Sequence, residues 1–361
     1  MLIFTIHFLD IRMRKSILLC MVALLPITAD AEIKRTADGK PDLSGVYDTG
    51  TLTPLSRPKE FGDKQFMSAE EATFILAEIK KRFAVLTERD SSADRSAPKK
   101  GGDGNNTFGA GGVGGYNGFW IDPGSQVTIV NGQYRTSIIY DPPNGQQPAM
   151  VPAAIGKMSF VYGSFSHQND GTASWLAKAG PGPFDGPESL APSERCLISF
   201  GATVPTIPSL YNNYKRIVQT EDHIMILQEM VHDARIIRLN SEHGPDGNRK
   251  WMGDSIGEWQ GDTLVVQTEN FRPMSSLGGA DENLKVTERY RLAENGDIVY
   301  SFTINDPTVW TAPWSGEYTW NSSPDKVYEY ACHEGNYAMG NILRGARLLE
   351  SEWPGDTAGE E

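Results

Sequence analysis

Long apolar runs, cysteines and histidines are scarce in this chain. Of its 361 residues three are cysteine and six are histidine, so neither a disulfide-dense scaffold nor a Cys/His-rich metal tract is encoded. The one apolar run, Ile17 to Ile27, is too short to span a bilayer as a helix. Basic clusters are missing as well. With 33 Lys and Arg against 46 Asp and Glu, the formal net charge is −13, which argues against nucleic-acid binding and against anionic membrane surfaces. No Gly-Lys-Ser/Thr ending follows the glycines of 101–115, so a phosphate cradle has no support. No G-x-S-x-G elbow is present; Gly253-Asp254-Ser255-Ile256-Gly257 only imitates one and runs on into a strand.

The N-terminus does carry a signal. Met13-Arg14-Lys15-Ser16 is a basic region, Ile17 to Ile27 an apolar one, and Ala29-Asp30-Ala31 a small-residue cleavage site. Residues 1–31 therefore read as an N-terminal extension and signal peptide, with Met13 as the start of translation and a periplasmic or secreted product. Cys20 would leave with that segment. Cys196 and Cys332 would remain and, in an oxidising compartment, would bond to each other.

Periodicity divides the rest. Residues 32–118 form a loop-rich segment. Within it the capping box Ser68-Ala69-Glu70-Glu71 opens a helix over about 69–88, and a polar, Gly-rich linker follows. Residues 119–350 are β-rich, and 351–361 read as a flexible acidic tail. Asn131-Gly132 marks a hairpin between Val127–Val130 and Tyr134–Tyr140. Further strands are expected at Lys215–Gln219, Ile224–Val231, Arg235–Leu239, Ser255–Trp259, Thr263–Thr268, Val286–Leu292, Ile298–Ile304, Glu317–Trp320 and Val327–Cys332. About nine short strands with tight turns predict a mainly β protein. The expected core is an antiparallel meander closed into a barrel-like, calycin-like form, with a two-sheet sandwich as the alternative, one N-terminal helix and long loops.

Strand alternation picks out candidate site residues. Glu288 shares a face with Val286, Tyr290 and Leu292, so its carboxylate must be paired or perturbed. It is either an ion pair with an arginine such as Arg235 or a general acid or base. Tyr328 to Tyr337 packs Glu329, Cys332 and His333 among three tyrosines at an expected strand end, and His232 stands beside Asp233 at another. Glu288, His232, His333 and Glu329 are thus the candidate catalytic groups. Trp259, Trp310, Trp314 and Tyr211, with Arg235, are candidate ligand contacts, the Asp306–Trp314 stretch reading as an aromatic loop at a barrel mouth. A zinc reading would use His232, His333 and a carboxylate, but no H-E-x-x-H spacing occurs; no metal and no cofactor is expected.

Four stretches carry a resemblance. They are Thr36 to Gly45 (TADGKPDLSG), Glu229 to Ile237 (EMVHDARII), Trp251 to Val266 (WMGDSIGEWQGDTLVV) and Tyr328 to Tyr337 (YEYACHEGNY). Together they resemble a family of secreted bacterial proteins that share these motifs. The resemblance implies a secreted protein and transfers no activity or catalytic residue. The residues themselves suggest a cofactor-independent lyase or hydrolase acting on a small aromatic or sugar-like molecule. The alternatives are a non-catalytic small-ligand-binding barrel, or an envelope-assembly module with a large exposed apolar patch. Sequencing the N-terminus of the exported protein should give Glu32 as its first residue; recovery of Met1 or Met13 on the exported protein would reject the cleavage.

Overall fold

The computed structural model describes residues 33–91, 122–165, 171–199, 201–273 and 277–355, with the side chains of 82–83, 85–91, 159–165 and 232 outside that description. The expected signal peptide, the Gly-rich linker from residue 92 and the end of the acidic tail lie outside the described residues.

In chain order the first elements are β1 (Gly45–Asp48), β2 (Phe66–Met67), α1 (Ala69–Ser91), β3 (Ile129–Val130), β4 (Gln133–Arg135), β5 (Ile139–Asp141) and α2 (Pro152–Phe165). Then come β6 (Tyr214–Gln219), β7 (His223–Gln228), β8 (Ala234–Leu239), β9 (Asp254–Gln260), β10 (Thr263–Glu269), β11 (Lys285–Leu292), β12 (Ile298–Asn305) and β13 (Trp314–Ser323). Two helices, α3 (Cys332–Gly335) and α4 (Tyr337–Ser351), end the described chain. None of the described helices is long and apolar enough to cross a membrane.

β6 to β13 pair in sequence, and β1 pairs with both β6 and β13, so nine strands close a barrel. A mainly β, barrel-like fold is therefore what the chain adopts. Three details depart from the sequence reading. The closing strand is β1, from the leading segment, which is not among the expected strands; the expected strand Val327–Cys332 is absent, since residues 326–331 carry no regular structure and Cys332 begins a helix. The β8–β9 pair is parallel, which interrupts the meander. The Asn131-Gly132 hairpin is real (Val130 pairs with Gln133) but is split: β3 and β4 join β2 in a small sheet, while β5 pairs with β13. The capping box at the start of α1 forms as expected, Glu71 N–H donating to Ser68 Oγ at 3.2 Å and Ser68 N–H to Glu71 at 2.7 Å.

The core fills the barrel. On β11 the inward residues are Val286, Glu288, Tyr290 and Leu292; on β12 they are Ile298, Tyr300, Phe302 and Ile304. Tyr290, Tyr300, Tyr318 and Trp320 stack edge-on or tilted with ring centroids 4.7–5.5 Å apart, a close-packed aromatic layer. Gly316 of β13 lies under the Phe302 ring, where a Cβ would approach to 2.5 Å. Cys196 and Cys332 are disulfide-bonded with Cα atoms 5.8 Å apart, tying α3 to the segment around Cys196, and Met230 and Val231 pack beside the bond. The bond joins positions 136 residues apart, a loop for which the chain-entropy model gives about 5 kcal/mol.

A parallel step needs a crossover, and residues 240–253 supply it. Asp254 holds that crossover down. Its carboxylate accepts from Arg238 at 2.8 and 3.0 Å, from Lys250 Nζ at 2.9 Å and from the Gly244 N–H at 3.0 Å, with His243 Nδ1 at 3.3 Å. The Arg238 hydrogen bonds, first among these, keep the Asp254 carboxyl far below the usual carboxylate range although burial opposes them. A carboxylate depressed in the folded state gives stability above its unfolded pKa, about 3.9, that is lost as pH falls towards the folded value. Asp254→Asn should therefore cost about 3–5 kcal/mol at neutral pH and flatten the loss of stability below about pH 4, both read from urea melts.

Candidate functional site

The polar centre of the barrel is the Arg235–Glu288 pair. Arg235 points inward from β8 and Glu288 from β11, and both are fully buried. Arg235 Nη1 donates to Glu288 Oε1 at 3.0 Å, while Nη2 pairs with Oε2. The rest of the guanidinium is used by Ser255 Oγ (2.9 Å from Nε) and Thr268 Oγ1 (2.7 Å from Nη2). Glu288 Oε1 also accepts from the Tyr290 hydroxyl at 3.0 Å and the Tyr300 hydroxyl at 2.7 Å. Burial, and then the Glu288 charge, push both phenols well above their usual pKa, so they stay protonated donors. Burial, the largest single influence, lowers the Arg235 pKa, but the Glu288 charge and hydrogen bond together with Tyr290 and Tyr300 outweigh it and raise the pKa above the usual value.

A plug closes the mouth above this pair. Residues Gly201 to Thr206 are all buried. The Thr206 N–H donates to the Tyr300 hydroxyl at 2.9 Å, and Tyr318 donates to the Thr206 carbonyl at 3.1 Å. The plug is thus one hydrogen bond removed from Glu288.

The expected pairing of Glu288 with Arg235 is present, but the other candidate acid–base groups do not join it. Glu329 and His333 are exposed, on irregular chain and on α3, instead of sharing an inward strand face. His232 ends a short turn, Met230–His232, in which Val231 has φ of 61°, a strained position for a β-branched residue. Its side chain lies outside the described residues. The aromatic candidates are core instead of mouth. Trp314 is the first residue of β13, not of a loop, and it packs edge-on against Trp310 at 5.6 Å, both buried. Trp259 packs on the main core, and Tyr211 packs beside the disulfide with Tyr330. Among the described residues no three His, Cys, Asp or Glu side chains stand together as a metal site.

Among the described residues, two of the cavities beside the barrel are lined by none of the residues picked from the sequence. One is a crevice of about 460 Å³ between the segment after β1 (Thr51, Thr53, Leu55) and the plug with the residues that follow it (Thr203, Ile207, Ser209, Leu210). The Thr51 and Thr53 hydroxyls are already engaged, with Gln126 O at 3.1 Å and Thr128 N–H at 2.8 Å. Ser209 Oγ is buried and has no partner. The other is polar, about 380 Å³, lined by Arg291, Asn295, Asp297 and Asn321 on the outer barrel wall.

Sequence reading also missed a second interior cation. Lys215 of β6 faces inward and is fully buried, donating to the Gly201 carbonyl at 3.2 Å. Burial pushes its ammonium down to about 8, against the opposing charges of Glu229 and Asp48. Alternation on β6 was ambiguous, since Ile217 lies on one face and Val218 on the other; the pattern of β7, with Ile224, Ile226 and Gln228 inward, would have resolved it through the register.

No protein-family model matches the chain, and no curated protein is similar to it. Residue roles therefore rest on this geometry.

Glu288→Gln would leave Arg235 as an unpaired buried charge. It should cost about 3–5 kcal/mol in urea denaturation, whereas the double variant Arg235→Met/Glu288→Leu should recover much of that loss. A single variant as stable as the parent would contradict the structural role.

Proposed function

We propose that this is a secreted small-ligand-binding barrel whose site is the crevice at the plugged mouth. The occupant is a small aromatic molecule with one hydrogen-bonding group. The observation that carries the reading is the crevice lining. Leu55, Ile138, Ile207, Leu210 and Leu277 give apolar walls, and Ser209 lines them with an unpartnered hydroxyl that becomes the polar anchor on turning from its buried rotamer into the crevice. A volume of about 460 Å³ lies in the range of small-molecule sites. Between the two ligand classes suggested by the sequence, these walls suit a flat ring better than a sugar, whose hydroxyls would meet few partners there.

The enzyme reading, a lyase or hydrolase using Glu288 with His232 or His333, has less support. Glu288 is saturated by Arg235, Tyr290 and Tyr300 and sealed under the plug, and His333 is exposed. Catalysis through Glu288 would need the plug to leave the mouth.

A thermal-shift screen of phenols and aryl alcohols against monosaccharides tests the reading. An aromatic ligand at a hundred times its Kd should stabilise the fold by about 2.7 kcal/mol. Leu210→Trp, which fills the crevice, should abolish that response without lowering the unliganded midpoint. A response to sugars alone, or an aromatic response unchanged by Leu210→Trp, would overturn it.

A further inference from the structure

The polar cavity on the outer wall of the barrel, about 380 Å³, lies between the two sheets. One wall is a cross-strand row on β11, β12 and β13, where Arg291 pairs with Val299 and Val299 with Thr319. The facing wall is the β3–β4 hairpin around Ile129 and Asn131. Thr319 Oγ1 holds the walls together by donating to the Ile129 carbonyl at 2.6 Å, and Arg291 Nη2 donates to Asn131 Oδ1 at 3.2 Å. Arg291, Asn131 and Gln126 are exposed, so the cavity is open to solvent. Its volume lies in the range of small-molecule sites.

Two opposite charges line this space without pairing with each other. Arg291 uses one of its five N–H donors, in the bond to Asn131. Asp297 stands one rung past the β12 end of the β11–β12 ladder. It accepts from the Ser322 N–H at 2.8 Å and from Asn295 Nδ2 at 2.6 Å, both neutral donors. Among the described residues neither Arg291 nor Asp297 has an ion-pair partner. Arg291 faces Val299, so Asp297 is its diagonal neighbour, and diagonal positions of an antiparallel pair lie about 7–8 Å apart. Long side chains at that spacing can meet, and these two do not. Apolar surface completes the lining: Ile129 is 40% exposed, and Val299 is half-buried.

The charges narrow the occupant. An anion would face Asp297, a cation would face Arg291, and a neutral sugar would leave both charges unanswered. A molecule that carries a carboxylate and an ammonium a few bonds apart meets both. We propose that this cavity binds a free α-amino acid with an aliphatic side chain. Its carboxylate accepts from the unused N–H groups of Arg291, whose planar fork suits a two-oxygen acceptor. Its ammonium donates to Asp297, and its side chain covers Ile129 and Val299. No bond is made or broken. The site goes beyond the aromatic crevice and does not rest on it. Thr51 lines both spaces, but the groups that select each ligand are not shared.

Calorimetric titration of the intact chain with L-leucine tests this. Leucine should bind saturably. The analogues 4-methylpentanoate and 3-methylbutylamine each lack one charge and should bind at least about tenfold more weakly, the loss expected when a charged hydrogen-bonding group goes unmet. Glycine, with no side chain to place on Ile129, should also bind more weakly. Arg291→Gln and Asp297→Asn should each weaken leucine binding about tenfold. Arg291 is exposed, so its variant changes the cavity and not the core. No saturable heat with leucine, single-charge analogues or glycine binding as tightly as leucine, binding unchanged by Arg291→Gln, or glucose binding in place of leucine would each overturn the assignment. An aromatic thermal shift without leucine binding would reject this site and leave the crevice standing; leucine binding without an aromatic shift would do the reverse.

Discussion

A carboxylate placed inside a β-barrel must be neutralised and hydrogen-bonded, and Glu288 dictates much of what surrounds it. Its charge requires Arg235, three strands away on β8, its remaining lone pairs require the Tyr290 and Tyr300 hydroxyls, and the rest of the guanidinium requires Ser255 and Thr268. Five strands, β8 to β12, are thereby tied at one level of the interior. Apolar packing alone would tolerate a slip of register better than this, because one residue of slip would turn the whole polar set outward. The plug inherits the same constraint: Thr206 reaches the pair through Tyr300, so the closed mouth and the charged centre form one network. A buried pair of this kind is weak grounds for net stability over an apolar replacement, but losing either partner is severe.

The fold was legible where alternation was strong. β11 and β12 alternate for their full length, so their inward faces, including Glu288, followed from the sequence pattern. β1 was harder to read because it is four residues long and its partners, β6 and β13, lie far along the chain. The parallel step at β8–β9 was invisible for a related reason. Local turn chemistry reports reversals, whereas a crossover of 14 residues held by one aspartate leaves no turn signal. The same aspartate sits in the Gly253 to Gly257 run that mimics a nucleophile elbow; there it anchors a loop, and Ser255 serves Arg235.

The candidate site was less legible, and the errors have one cause. Density of reactive residues along the sequence does not imply their convergence in space. Tyr328 to Tyr337 is dense, but beyond Ser323 the chain leaves the barrel; there Cys332 bonds Cys196 and Asn336 donates to the Glu194 carbonyl, contacts that fix the chain and not a reaction centre. The tryptophans of 306–314 misled in the opposite way: a stretch rich in proline and threonine is a loop on the outside, yet its two indoles fold back into the core. By contrast the crevice is built from residues with little chemical signature, threonines, prolines and leucines. Only the meeting of the segment after β1 with the plug creates it.

The two interior cations make the sharpest contrast in the molecule. Arg235 and Lys215 both project into one barrel from neighbouring parts of one sheet, and both have left water. Arg235 has its charge balanced at hydrogen-bond distance, and its pKa rises. Lys215 has one carbonyl contact, no paired carboxylate, an idle amide beside it, and an ammonium pushed down to about 8. The chemistry of the side chains matches this division. A guanidinium stays protonated and fits a fixed fork of acceptors, which suits a permanent structural pair. An ammonium desolvated without a carboxylate at hydrogen-bond distance is pushed towards its neutral form instead. A barrel that needed Lys215 only as filler could hold a leucine there with no polar atom to satisfy, so the unmet capacity at Lys215 and Gln228 is the feature of the interior that packing does not explain.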